Sequence, residues 1–175
     1  PLKFWNDKND IKFHNTYFNN FLNIWHHGDY AQIRESGGFI IHGRSDTTLN
    51  PGGVRLGTAE IYSEVEKFIE VKESIVIGQA WDNDIRIVLF IVLNPKYKLN
   101  DSLLKRIKIQ IRKNASPRHV PSKILVVNDI PRTKNGKIVE LAVKNIVEGN
   151  DIKNKEALAN PNILEQYKNL KELKY

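Results

Sequence analysis

The sequence predicts an α+β fold, a small sheet with helices laid against it, organised around one glycine-rich bend. Three observations carry that expectation. Three aliphatic, largely β-branched runs stand at residues 74–80, 85–93 and 122–128. Apolar residues recur at helical spacing between and after them. Upstream, residues 43–61 hold Gly43, Gly52, Gly53 and Gly57 with Pro51, Arg44 and Arg55, where the chain changes character.

Residues 1–23 are aromatic but irregular. Phe4, Trp5, Phe13, Tyr17, Phe18 and Phe21 alternate with asparagines and aspartates that break any period. These rings either form a satellite cluster on the same domain or pack on a surface that this chain does not supply. Residues 24–42 read as short strands, with Glu35-Ser36-Gly37-Gly38 as a hairpin turn. Asp29 follows Gly28 at the expected end of one strand. It reads either as an ordinary turn aspartate or as a carboxylate that accepts two hydroxyl donors, as from a ribose. His26 and His27 are adjacent, so on a strand they point to opposite faces and make a poor metal pair.

At the bend, Pro51-Gly52-Gly53 forces a tight turn and lets a ligand approach the backbone. Arg44 and Arg55 flank it, and a planar guanidinium suits a phosphate or a carboxylate. Asp46 sits where the chain changes character and reads as a hinge. Thr58 is then an expected N-cap, and Ile61, Val65 and Phe68 make one helical face ending near Ile69. Strands follow at 74–80 and 85–93, the second closed by Asn94-Pro95. Asn100 or Asp101 caps a second helix whose core face is Leu104, Ile107 and Ile111. Its other faces carry Lys105, Arg106, Lys108, Arg112 and Lys113, and Arg118, His119 and Lys123 extend the cationic strip. That strip is either a solvated face or an edge that gathers phosphates.

After the strand at 122–128, Asn135-Gly136 marks a tight turn presenting Lys134 and Lys137 at a loop tip. Lys137 reads either as a surface lysine or as a cation delivered to another domain's active site. A helix follows, with Ile138, Leu141, Ala142, Asn145 and Ile146 expected inward and Gly149 at its end. Residues 151–175 look like a tail with a short helix over 163–173.

Composition narrows the function classes. The 175 residues hold 41% hydrophobic side chains, enough for a real core, and no cysteine, which excludes disulfides and thiolate chemistry. A net charge of +7 favours an anionic partner. No apolar run is long enough to span a bilayer, and no secretory leader is visible, so a cytoplasmic home is expected. The chain has no methionine, which suggests a piece of a longer protein. The positive charge also raises a nucleic-acid module or a non-catalytic basic fragment, but no RNA-binding aromatic motif or zinc spacing supports the first. No nucleic acid and no metal ligated by this chain are expected.

Three motifs occur in order: His27-Gly28-Asp29; then Gly43-Arg44-Ser45-Asp46 with Gly53-Val54-Arg55-Leu56-Gly57-Thr58-Ala59-Glu60-Ile61; then Pro131-Arg132-Thr133-Lys134-Asn135-Gly136-Lys137-Ile138. Together they resemble the C-terminal part of the acyl-adenylate-forming acyl-CoA synthetases. The flanking Phe4-Trp5-Asn6-Asp7, Ser116-Pro117-Arg118-His119-Val120-Pro121 and Ala157-Leu158-Ala159-Asn160-Pro161 with Tyr167 resemble the branch whose acid is acetoacetate. The acetyl and propionyl branches are the next reading.

The resemblance implies a small mixed-sheet α+β C-terminal domain, residues 46–150, pivoting at Asp46. Residues 1–45 would be the last β segment of a large N-terminal domain, the rest of which is missing, and residues 151–175 a C-terminal extension. It implies ATP, acetoacetate and coenzyme A as substrates, with Mg2+ accompanying ATP and its ligands mostly outside this chain. Asp29 would hold the ribose, Arg44 the nucleotide and Arg55 an ATP phosphate. Gly52 and Arg112 would contact coenzyme A, and Lys137 would bridge the carboxylate and α-phosphate during adenylation. Asn50 stands where some adenylating relatives carry a lysine.

Overall fold

A computed structural model describes residues 2–152 and 155–174. Pro1, and the parts of the tail reading that fall on Lys153, Asn154 and Tyr175, lie outside the described residues. The elements run α1 (Ile11–Tyr17), β1 (Asp29–Ile33), β2 (Phe39–Arg44), α2 (Thr58–Val65), β3 (Val71–Trp81), β4 (Asp84–Leu93), α3 (Asp101–Asn114), β5 (Lys123–Val126) and α4 (Glu140–Val147). Short 3₁₀ turns punctuate them, the longest at Pro161–Tyr167.

The central sheet has the order β3-β4-β5. β3 and β4 form an antiparallel hairpin, Val71↔Leu93 through Trp81↔Asp84. Asp82 and Asn83, both at positive φ, make its two-residue turn. β5 joins β4 in parallel, Val88↔Lys123 to Ile91↔Val126, after α3 has crossed over. The sheet is therefore mixed, and the α+β expectation holds.

Both faces of this sheet are covered, which is why β3 and β4 read as continuous apolar runs rather than alternating ones. Val76, Ile87, Leu89 and Ile91 face α2 and α3, meeting Ile61, Val65, Leu103, Ile107 and Ile111. Ile75, Ile77, Val88 and Phe90 face the other way, toward Ala142, Val143 and Ile146 of α4. The tail completes that second layer. Leu158, Leu164, Tyr167 and Leu173 are all buried in it, with the Tyr167 ring edge-on to Phe90 at 5.0 Å. The tail is thus a structural layer of the domain, built of 3₁₀ turns rather than one helix.

Local expectations shift in four places. Asn100 does cap α3, its Oδ1 accepting from Leu103 N–H at 2.9 Å, but Leu103 is the buried residue and Leu104 only half-buried. α2 stops at Val65, because the chain must turn back toward β3; Phe68 lies in that turn, its N–H donating to Val65 O. Thr58 does not cap α2. Gly57 stands at the cap, since any Cβ there would lie 2.4 Å from His42 O where the helix start crosses β2. Finally, α4 begins at Glu140, so its inward face is Ala142, Val143 and Ile146, while Ile138 and Leu141 are exposed.

The first 45 residues are built differently. β1 and β2 form a separate two-stranded sheet, Asp29↔Arg44 to Ile33↔Phe39, with a bulge between Tyr30 and Ala31. Before it, Asp7 caps α1 by accepting from Lys12 N–H and Phe13 N–H at 2.9 and 2.8 Å. Phe13 sits amid Phe4, Tyr17, Phe18 and Trp25, and Tyr17 stacks on Trp25 at 4.0 Å. A satellite aromatic cluster therefore forms, yet Trp5, Phe21, Leu22, Ile33, Phe39 and Ile41 stay exposed.

Candidate functional site

The hairpin and the bend after it bring Asp29, Arg44 and Asp46 together. Asp29 opens β1, rather than ending a strand, and lies across the ladder from Arg44 at the end of β2. The Arg44 guanidinium donates from Nε to Asp46 Oδ1 at 3.3 Å and from Nη1 to the His27 carbonyl at 3.1 Å. Its Nη1 also lies 3.6 Å from Asp29 Oδ1. His27 Nδ1 sits 2.5 Å from the other Asp29 oxygen. One cation thus spans two carboxylates, one before the bend and one within it.

Gly28 makes this possible. A Cβ there would meet Arg44 Nη2 at 2.5 Å, and φ is +89°, so only glycine lets the guanidinium lie on the backbone. Ser45 N–H donates back to the Gly28 carbonyl at 2.9 Å and closes the loop. Arg55 reaches toward the same hairpin, its guanidinium 5.8 Å from the centre of the Tyr30 ring.

A cleft of about 220 Å³ opens beside this cluster, lined by Asp46, Thr48, Asn50, Gly78, Glu140 and Lys144 among others. Near its edge the Tyr62 hydroxyl donates to Glu140 at 2.5 Å and accepts from Val76 N–H at 3.1 Å. Burial, reinforced by the Glu140 charge, pushes the Tyr62 phenol well above its ordinary range.

The Pro51–Gly53 turn is stapled to the sheet. Gly52 N–H donates to both carboxylate oxygens of Asp84 at 2.9 Å. The side chain nearest a would-be Gly52 Cβ is Arg118, with Nη1 at 3.6 Å. Arg112 lies exposed in the last turn of α3. The cationic strip is partly paired: Arg106 meets Glu70, holding that carboxyl below its usual value. His119 leaves the strip altogether and is buried.

Sequence reasoning missed where His119 goes. Its Nε2 meets Glu60 Oε2, and its Nδ1 meets Ser116 Oγ at 2.8 Å. The second Glu60 oxygen lies 2.9 Å from His42 Nδ1 on β2. Glu60 is therefore a relay between the hairpin and the domain as well as a first-turn acid. The partners stand 18 and 59 residues from Glu60, so no local pattern announces them.

Lys137 sits in the exposed turn that Asn135-Gly136 begins, with Gly136 at φ +78°. Thr133 N–H donates to Lys137 O at 2.9 Å, and Lys137 N–H to Thr133 Oγ1 at 3.2 Å. Among the described residues, no hydrogen bond or ion pair joins Lys137 to Asp29, Arg44 or Asp46. The lysine and the carboxylate cluster are separate features in this arrangement.

The described residues hold no group of three His, Asp or Glu side chains placed to bind a metal ion. Asp29 and Asp46 are engaged by Arg44 and His27, so they offer Mg2+ no ready ligand set. No helix among the described residues is long and apolar enough to cross a membrane.

The family model for the AMP-binding enzyme C-terminal domain matches residues 60–137. The acetoacetyl-coenzyme A synthetase of Rhizobium meliloti (strain 1021) is 56% identical over 99% of this chain, which covers 27% of that relative. The Xenopus tropicalis acetoacetyl-CoA synthetase is 46% identical over 99% of the chain, covering 26% of its own length. Among solved structures, acetoacetyl-CoA synthetase from Streptomyces lividans superposes with a TM-score of 0.90 at 39% identity, covering 100% of this chain and 27% of that one. Over these spans the chain is similar to members of the acyl-CoA synthetase family. It matches the C-terminal portion of that family's AMP-forming ligases and spans about a quarter of the length of the curated relatives it matches. An anthranilate CoA ligase solved with anthranoyl-AMP shares the fold at a TM-score of 0.67 and 25% identity, over 78% of this chain and 26% of its own. The synthetase motifs read in the sequence fall on the hairpin, the bend and the lysine loop described above.

Proposed function

We propose that this chain is the C-terminal part of an ATP-dependent acid–thiol ligase that joins acetoacetate to coenzyme A by way of an acyl-adenylate. Residues 46–150 act as its mobile domain. Residues 1–45 close the large domain that precedes it, and residues 151–175 extend the mobile one. The observation that carries the reading is the shared guanidinium: Arg44 bonds Asp46 in the bend while standing at ion-pair distance from Asp29 in the hairpin. A nucleotide seated on Asp29 thereby senses the residue at which the domain turns.

In the first half-reaction a carboxylate oxygen of acetoacetate attacks the α-phosphorus of ATP, and pyrophosphate leaves. Both reactants are anionic, so cations placed in advance offset the repulsion. Asp29 accepts the ribose hydroxyls, Arg44 orients the nucleotide and Arg55 meets a phosphate. Lys137 bridges the carboxylate and the α-phosphate as an electrostatic and positioning group, not a nucleophile. Its exposure at a loop tip suits delivery by domain closure.

In the second half-reaction the thiol of coenzyme A releases its proton to solvent, the thiolate attacks the acyl carbonyl, and AMP departs with the bonding electron pair. Sulfur needs the space that the lysine filled, so the domain turns about Asp46 and withdraws it. Gly52 and Arg112 then face coenzyme A. Because Asp84 holds the Gly52 N–H, Gly52 contributes a bare backbone surface beside Arg118. Mg2+ travels with ATP, its ligands mostly outside this chain.

The test is Lys137→Ala in the full-length protein. Acetoacetate-dependent ATP–pyrophosphate exchange should fall by about 100-fold or more, while thioester formation from supplied acetoacetyl-adenylate persists. Equal loss in both steps would refute the role. The isolated 175-residue chain should turn over neither.

A further inference from the structure

The loop that carries Lys137 is held from one side by the chain's own tail. β5 is an edge strand, and the chain leaves the sheet after Val127, whose N–H still donates to Ile91 O at 3.0 Å. From Asn128 onward the tail bonds the backbone instead. Thr133 pairs antiparallel with Leu158. Lys134 N–H donates to Ala157 O at 3.1 Å, and Ala159 N–H to Arg132 O at 2.8 Å.

Three tail side chains continue the clamp upstream. Asn160 accepts from Arg132 N–H at 2.9 Å and donates to Ile130 O at 3.0 Å and to the Asp129 carboxylate at 2.9 Å. Gln166 accepts from Asn128 N–H and donates to Asp129 O, both at 2.7 Å. The Tyr167 hydroxyl donates to Asp129 O at 2.9 Å. The clamp is itself anchored: Leu158, Leu164 and Tyr167 are buried against the sheet. From the opposite side, Arg132 donates to Glu73 on β3 at 2.6 Å. The root of the loop, residues 128–134, is thus fixed on both flanks, while its tip at residues 135–138 is exposed.

We propose that residues 155–170 are a brace that aims Lys137, and that Asn160 and Tyr167 are positioning residues for adenylation. This rests on the role given to Lys137 above. A lysine delivered by a turning domain arrives where its root points. A misplacement of about 1 Å at the reacting atoms costs up to about 100-fold in rate. With the tail bonds removed, the root would keep the buried Ile130, the Arg132–Glu73 bond and its own turn, but lose the bonds that fix the backbone of residues 128–134 from the tail side.

The experiment uses the full-length protein with Asn160→Ala, Tyr167→Phe and Lys137→Ala, reading each half-reaction separately. For Asn160→Ala, kcat for ATP–pyrophosphate exchange should fall about 10- to 100-fold, with KM for ATP changed less than about twofold. Thioester formation from supplied adenylate should stay within about twofold. Added to Lys137→Ala, Asn160→Ala should cause no further loss of exchange, since there is no ammonium left to aim. Tyr167→Phe keeps the ring in the core and should lower exchange about threefold; it stands as the deciding variant if Asn160→Ala does not fold. Equal loss in both half-reactions, no loss of exchange, or further loss on top of Lys137→Ala would overturn the brace. If Lys137→Ala alone leaves exchange intact, the lysine's role fails first, visibly in the single variant, and the brace falls with it.

Discussion

The hairpin and the central sheet use the same side chains to opposite effect. Ile75, Phe90 and Ile91 are wholly buried, between helices on one face and helix and tail on the other. Ile33, Phe39 and Ile41 are 69%, 68% and 56% exposed on a two-stranded ribbon. Isolated ribbons are marginal because they have no second layer to bury an apolar face. Residues 49–173 therefore carry their own core. The hairpin holds its shape through one bulged ladder, Arg44 and the His42–Glu60 link, and leaves apolar area facing outward. Exposed apolar groups of this kind mark surfaces made to be covered, in keeping with the proposal that residues 1–45 belong to a larger neighbouring domain.

The contrast can be broken most directly by cutting one ring from each region. Phe90→Ala should cost about 3–5 kcal/mol in the isolated chain and lower its melting temperature sharply. Phe39→Ser should leave that temperature unchanged and reduce self-association on a sizing column. A large destabilisation by Phe39→Ser would show that the hairpin has a core of its own.

A smaller effect is expected where the two regions meet. His42→Ala removes the hairpin's bond to Glu60 while His119 keeps the other oxygen. The loss should be about 1 kcal/mol, and hydrogen exchange should quicken in β1 and β2 while β3 to β5 stay protected. Equal quickening in both sheets would mean that the hairpin and the domain open as one unit.

Acid gives the smallest effect, confined to the sheet domain. Burial alone pushes the Glu64 carboxyl up, but bonds from Lys67, Asn114 and Gln110 outweigh it and hold it below its ordinary value of 4.5. Arg106 does the same for Glu70. A carboxyl depressed in the folded state contributes stability that is full above the unfolded value and lost as pH falls through the folded one. The melting temperature of the domain should therefore fall as pH drops below about 4.5. Glu64→Gln should flatten that slope, and an unchanged slope would remove Glu64 from the account.

Much of the fold was legible from sequence because its signals are local. The runs at 74–80 and 85–93 lie within β3 and β4, and Asn100 capped α3 as its type and position required. Misreadings came where neighbours in space overruled neighbours in sequence. Thr58 looked like a cap, but the approach of His42 O demanded Gly57 there. Leu141 matched a helical stripe, but α4 lays Ala142, Val143 and Ile146 on the sheet and leaves Leu141 exposed.

By itself, then, the sequence determined the order of strands and helices, the cationic character of the chain and the residue types available to meet a nucleotide, because periodicity, capping and turn chemistry act within a few residues. Only the tertiary structure decided which of those residues meet. The Asp29–Arg44–Asp46 cluster, the His42–Glu60–His119 relay and the tail's grip on the lysine loop join positions many residues apart. Such contacts exist only once the packing of a sheet has fixed where distant backbones run.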